Sequence, residues 1–273
     1  MKRLTSLVFS PTGGTQKVTD ILAEELMVEL MSHPDLQIVE TAYLDLCERS
    51  FDFSLIELTE HDICLVSVPS YGGRVPKTAV ERLSKIHGNG AQAILVAVYG
   101  NREFEDTLVE LEDTLVGAGF KPVAGVAAIA EHSVVRDFAK GRPNAFDRRQ
   151  LASFAKKIAI RLESIGAEGP APFAKAPSLS LPGNRPYKDI NIAPTYGVPN
   201  DTCTNCGVCA AQCPVGAIDS TDPSKVDETL CIACKRCIVV CPTHSRPLPE
   251  AVLEGSRKFL SEHIKEDKIN QLF

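Results

Sequence analysis

FSPTGGT, residues 9–15, follows a short apolar run from Leu4 to Phe9 and precedes a stretch with helical spacing. Two adjacent glycines flanked by hydroxyls, where a strand gives way to a helix, make a place for an anion. The first N–H groups of a helix carry partial positive charge, glycine lets the backbone come close, and Ser10, Thr12 and Thr15 add neutral donors. A Walker loop needs Gly-x-x-x-x-Gly-Lys-Ser/Thr and a dinucleotide fingerprint needs Gly-x-Gly-x-x-Gly; neither is present. No cysteine stands in the loop to act as a phosphatase nucleophile. Capping of the helix by Thr15 is the plain alternative use of the same residues.

Working outward, apolar runs predict strands at Leu4–Phe9, Leu36–Leu44, Ile63–Val68, Ala93–Tyr99 and Val123–Ile129. Helical spacing lies between and after them, at Gln16–Met31, Thr78–Ile86, Phe104–Leu115 and Phe146–Ile165. Nearly continuous apolar strands such as ICLVSV and AILVAVY suit a parallel sheet covered on both faces. Right-handed crossovers then give an α/β unit over residues 1–167, a doubly wound five-stranded parallel sheet. Proline becomes frequent between residues 168 and 194, which predicts a linker. A second, smaller unit occupies residues 195–248, and residues 249–273 read as a terminal helix with Val252, Phe259, Leu260 and Ile264 available for packing.

The chain has 273 residues, enough for two domains, and a net charge of −6, which leaves no basic excess to displace counterions from a nucleic acid. No apolar run approaches the ~18 residues of a membrane span, and the start lacks a secretory h-region, so a cytoplasmic protein with no membrane contact is expected. Of its ten cysteines, Cys47 and Cys64 stand apart; Cys64, within ICLVSV, reads as a small buried apolar residue and Cys47 as an ordinary loop or helix-start cysteine. The other eight fall between Cys203 and Cys241.

Those eight form Cys203-x-x-Cys206-x-x-Cys209-x-x-x-Cys213-Pro214 and, 28 residues later, Cys231-x-x-Cys234-x-x-Cys237-x-x-x-Cys241-Pro242. Three thiolates at two-residue intervals can wrap one face of an iron–sulfur cubane, while the fourth, followed by proline, points away and ligates the other cluster. One [4Fe-4S] cluster is thus expected on Cys203, Cys206, Cys209 and Cys241, and a second on Cys231, Cys234, Cys237 and Cys213. Structural zinc, which closes one site with two Cys-x-x-Cys knuckles, matches this three-plus-one pattern poorly. With all eight cysteines and both prolines in place, the segment from Asn200 to Pro247 resembles the bacterial two-cluster ferredoxins. Lys235 and Arg236 lie inside the second cysteine loop, and their charge is expected to make that cluster the easier to reduce.

The first loop, Ser10-Pro11-Thr12-Gly13-Gly14-Thr15, resembles the phosphate loop of the flavodoxins, and the likeness extends over about the first 165 residues. Two more loops follow the third and fourth strands, at the carboxyl edge where such a sheet binds ligands. In Pro69-Ser70-Tyr71-Gly72-Gly73-Arg74, Tyr71 can stack on a flavin ring, and Gly72 or Gly73 can turn a carbonyl toward the flavin N5. In Tyr99-Gly100-Asn101-Arg102-Glu103-Phe104-Glu105-Asp106-Thr107-Leu108, the end resembles the segment that closes the other side of the ring in flavodoxins. His132, after the fifth strand, reads either as a group over the flavin or as a plug of the loop end. Arg74 and Arg102 stand within the flavin-facing loops and are expected to stabilise a reduced, anionic ring.

Together the two likenesses resemble the flavodoxin–ferredoxin fusion proteins of anaerobic bacteria and archaea. They imply FMN, two [4Fe-4S] clusters and redox partner proteins. An electron carrier is the expected function. The alternative is a flavin-dependent reductase acting on a quinone, nitroaromatic or oxygen species. A signalling receiver on the same fold would need an acidic pocket near the end of the first strand, which the sequence does not supply.

Overall fold

The apolar runs become strands because each alternate residue faces a different helix layer. The computed structural model describes residues 2–33, 36–167 and 179–273. Its sheet holds β1 (Lys2–Val8), β2 (Ile38–Asp45), β3 (Asp62–Pro69), β4 (Gln92–Tyr99) and β5 (Lys121–Ile129), all parallel, in the order β2-β1-β3-β4-β5. That order is the flavodoxin-like form of the doubly wound sheet. In β3, Cys64, Val66 and Val68 face one layer while Ile63 and Leu65 face the other. The second layer is closed by α1 (Gly14–Ser32), through Val18, Leu22, Leu26 and Leu30, and by α4 (Ala145–Ala167), through Leu151, Ala155 and Leu162. The first is closed by α2 (Lys77–Leu83) and α3 (Thr107–Gly117), through Ala79, Leu83, Leu108, Leu111 and Leu115.

The sheet departs from five strands at its far edge. The terminal helix, α7 (Glu250–His263), is shorter than the spacing indicates, and the chain after it returns to the first unit. There β6 (Gln271–Leu272) pairs antiparallel with β5, and Gly125 and Phe273 exchange backbone hydrogen bonds of 3.1 and 2.8 Å. Phe273 then packs into the same core as Phe104.

Of the expected Pro-rich linker, residues 168–178 lie outside the described residues. From Leu179 onward the chain is a strap across α3. Asp106 accepts N–H bonds from Asn184 (2.8 Å) and Lys188 (2.7 Å), and Arg185 forks onto Asp113. The second unit has little regular structure: α5 (Val208–Ala211), α6 (Arg236–Val239) and a bridge between Ile218 and Val226. Its buried cluster is Cys209, Ala210, Cys213, Ala217, Ile218 and Cys237, half of it cysteine.

The two units touch through specific groups. Ile232, between Cys231 and Cys234, packs against the core formed by α2, α3 and the sheet. Arg82 on α2 donates to the carbonyls of Leu46, just after β2, and of Pro214 (2.5 Å), just after Cys213. Arg236 donates to Gln212 (2.6 Å) and lies 4.0 Å from Asp45. No helix among the described residues is long and apolar enough to cross a membrane.

Candidate redox site

The carboxyl ends of β1, β3, β4 and β5 surround an open cleft. It is lined by Pro11, Thr12, Gly14 and Thr15 from the first loop, by Pro69, Ser70 and Tyr71, by Val98, Tyr99 and Gly100, and by Ala130 to Ser133. Gly13 is the N-cap of α1 with φ +87°, a conformation that favours glycine. Ser10 is turned to the helix, its Oγ accepting the Gln16 N–H at 2.9 Å. The N–H groups of Thr12, Gly13 and Gly14 have no protein acceptor among the described residues. Tyr99, on the cleft wall, is 4% exposed and its hydroxyl has no partner. Free helix-start donors beside an orphaned phenol fit a phosphate-bearing ring compound such as FMN.

His132 has a fixed tautomer. Its Nδ1 accepts N–H bonds from Val134 (3.2 Å) and Val135 (3.1 Å), so the neutral ring carries its proton on Nε2. Burial, helped by the charges of Arg102 and Lys235, lowers its pKa to about 4. Gly100 makes room for it: a Cβ there would lie 2.4 Å from His132 Cδ2. Glu131, its neighbour, is held by the Gly141 N–H at 3.0 Å and by Arg136 at 3.4 Å.

Other expected contacts lie elsewhere. Gly72 and Gly73 form the turn of a tight hairpin between Tyr71 and Arg74; the Gly73 carbonyl accepts the Asp106 N–H, while Gly72 lies under Ile190 and Ile192 of the strap. Asn101 is buried and holds the C-terminal segment through the Glu266 carbonyl and the Lys268 N–H. Phe104 packs in the core on Tyr99, and Asp106 holds the strap. Neither arginine lines the cleft. Arg74 forks onto Glu110 at 2.7 Å and lies over the Tyr187 ring, and Arg102 pairs with Glu105. Each is thus offset by a carboxylate. Pro11, Glu131 and Ser133, neighbours of the expected ligands, also line the cleft, and sequence reasoning missed only Val98 and Ala130, at the ends of β4 and β5.

The eight clustered cysteines ring two separate cavities. Cys203, Cys206, Cys209 and Cys241 line one, and Cys213, Cys231, Cys234 and Cys237 line the other. The fourth cysteine of each repeat therefore stands with the first three of the other. Among the described residues, no three or more His, Cys, Asp or Glu side chains converge on a point that would hold one metal ion. The thiols differ in setting. Burial pushes Cys234 up to about 12. Burial also acts on Cys241, but the Ser245 hydroxyl at 3.3 Å and that of Thr243 at 3.7 Å outweigh it and bring the thiol down to about 7.

The second cavity is the one beside the cleft. Burial pushes the Tyr71 hydroxyl well above the usual phenol range, and the nearby Cys234 and Cys47 add to the shift. Lys235 acts in turn on His132. Tyr71 and His132 of the cleft thus both lie within electrostatic reach of the Cys234–Lys235 loop.

Residues 196–219 and 224–245 match the 4Fe-4S binding domain family. The chain is 41% identical over 49 residues to ferredoxin-2 of Chlorobaculum tepidum, which covers 15% of this chain and 79% of that protein. It is 37% identical over 54 residues to a ferredoxin-like protein of the nif region of Rhizobium leguminosarum bv. trifolii, covering 17% and 84%. Among solved structures, a flavodoxin of Streptococcus pneumoniae TIGR4 aligns at 19% identity over 59% of this chain and 98% of that one, with a TM-score of 0.37. The flavodoxin-like fold of the first unit is fixed by its own strand order. The molecule is a redox protein in which a 4Fe-4S ferredoxin unit follows a unit of flavodoxin fold. Through that second unit the chain belongs to the ferredoxin family.

Proposed function

We propose that the protein is a cytoplasmic electron carrier that binds FMN in the cleft and one [4Fe-4S] cluster in each cysteine cavity, and passes electrons between these centres and redox partner proteins. When bound, FMN exchanges one or two electrons and each cluster exchanges one. Thr12, Thr15 and the N–H groups from Thr12 to Gly14 would hold the phosphate, with Ser10 and Gly13 shaping the turn. Tyr71 would stack on the ring, and Tyr99 and the Nε2–H of His132 would offer it neutral donors. Each quartet of thiolates would hold one cluster, and the crossing of the fourth cysteines would tie both into one unit.

The observation that carries this reading is the contact of Ile232 with the core of the first unit, which seats the Cys231–Cys234 loop on the unit whose strand ends make the cleft. The quartet of Cys213, Cys231, Cys234 and Cys237 would then serve as the inner relay. The other quartet, with Cys206 exposed, would face partners. The cleft's ionisable groups favour a carrier over a reductase: Glu131 is held by other protein groups, and His132 is poised as a neutral donor.

Protein purified without oxygen should show flavin absorbance over a broad iron–sulfur shoulder that bleaches on reduction. It should release FMN rather than FAD and contain iron and sulfide for two cubanes. Colourless, iron-free protein from the same preparation would overturn the reading.

A further inference from the structure

Arg246 is the largest fully buried side chain among the described residues, 1% exposed, and it lies in the wall of the cavity ringed by Cys203, Cys206, Cys209 and Cys241. One of its nitrogens, Nη1, donates to Cys209 Sγ at 3.5 Å and to the Pro223 carbonyl at 2.6 Å. Nε and Nη2 are buried and have no partner, and no carboxylate pairs with the guanidinium among the described residues. A buried cation without a counter-ion is unfavourable, so the fold is incomplete until something anionic fills that cavity.

The other cavity is arranged differently. Lys235 is also buried, but its ammonium donates to the Thr195 carbonyl (3.0 Å), the Thr195 hydroxyl (2.5 Å) and the Ala233 carbonyl (2.8 Å), which occupies all three protons. Arg236 borders the same cavity with its Nε unpartnered, yet its charge is shared with Asp45 of the first unit. Neither side chain donates to a cysteine sulfur among the described residues; only the backbone N–H of Arg236 does, to Cys234.

We propose that Arg246 is a positioning residue for the cluster on Cys203, Cys206, Cys209 and Cys241: it donates to Cys209, offers the N–H groups of its unpartnered Nε and Nη2 to the cluster, and makes that cluster the easier of the two to reduce. The proposal rests on the cluster reading above. Reduction adds one electron to an assembly that is already anionic, with no bond made or broken and no proton taken up. An uncompensated guanidinium in contact with a ligand sulfur favours the product of that step, because hydrogen bonds to sulfur and nearby charge set cluster potentials. This reverses the order expected from Lys235 and Arg236 alone. It places the stronger electron-holding site at the outer cluster, away from the cleft.

The test is an anaerobic potentiometric titration of the full chain followed by electron paramagnetic resonance, with iron content measured on each sample. Dithionite is the reductant. In the wild type the two cluster signals should appear at separate potentials. Arg246→Gln should move the first-reduced signal to more negative potential and leave the other in place, whereas Lys235→Gln should move only the second. If the glutamine variant loses iron, Arg246→Lys keeps a cation in the cavity and should shift the same signal in the same direction by a smaller amount. Unmoved midpoints in an iron-replete Arg246 variant, or both substitutions moving one and the same signal, overturn the proposal. An iron-free wild type would instead defeat the cluster reading itself.

Discussion

The two units are held together by different substances. Sheet, α1, α2, α3 and α4 enclose two apolar cores, one on each face, mostly aliphatic with phenylalanines and Tyr99 on the α2–α3 side. The second unit buries six residues in its cluster, and Cys209, Cys213 and Cys237 are three of them. The first can fold on hydrocarbon alone. The second cannot bury enough apolar surface to offset chain entropy, and it draws its order from what the cysteines bind. The rigid unit thus supplies a fixed frame, and the metal-dependent unit is seated on it by Ile232, Arg82 and Arg236.

Iron removal should break the comparison most visibly. Treatment with chelator under reducing conditions is expected to abolish protease resistance between residues 196 and 245 while the first unit keeps its circular dichroism. Loss of both together would mean that the first unit is not independent. A core truncation gives the converse: Leu95→Ala, at a fully buried position, should cost about 2–5 kcal/mol and lower the melting temperature by about 2–4 °C for each kcal/mol. Its iron content should stay unchanged.

What could be read in advance follows the same division. Strands β1 to β5 are legible because burial on both faces writes a continuous apolar run, and the grouping of the cysteines is legible because cluster ligation needs fixed spacings. Strand β6 is two residues long and has no such run; only the edge of β5, far away in sequence, makes it a strand. Phe104 and Asp106 keep a flavodoxin-like spacing, yet one joins the core and the other holds a strap that no local pattern announces. Arg246 is one charged residue in a polar loop, and nothing nearby marks it as buried.

His132 offers a gentler test of the first unit. Unfolded, it takes a proton near pH 6.5; folded, burial and the cations Arg102 and Lys235 delay this to about 4. Above pH 6.5 both states are neutral and the residue has no effect. Between 6.5 and about 4 only the unfolded chain gains the proton, so stability is lost as pH falls, up to a ceiling of roughly 3 kcal/mol at 1.36 kcal/mol per unit, and the loss levels off below that. Melting curves of the wild type minus those of His132→Gln should show this difference growing over that window. A flat difference would mean that water reaches the ring.

The finest probe is the join between the units. Arg82, on α2 of the first unit, bonds the Leu46 carbonyl of its own unit and the Pro214 carbonyl of the second, so Arg82→Met removes one hydrogen bond across the boundary and one within the first unit. Bonds from a charged donor contribute about 1.5–3 kcal/mol each, and here the buried carbonyl partners would be left unpaired. Iron content should be that of the wild type, and the first unit should melt somewhat lower for want of its Arg82–Leu46 bond. The change should appear in how the units are held: a larger radius by small-angle X-ray scattering, and slower equilibration between flavin and iron–sulfur absorbance after rapid reduction. Unaltered radius and rate would show that Ile232 and Arg236 suffice to hold the metal-dependent unit against its frame.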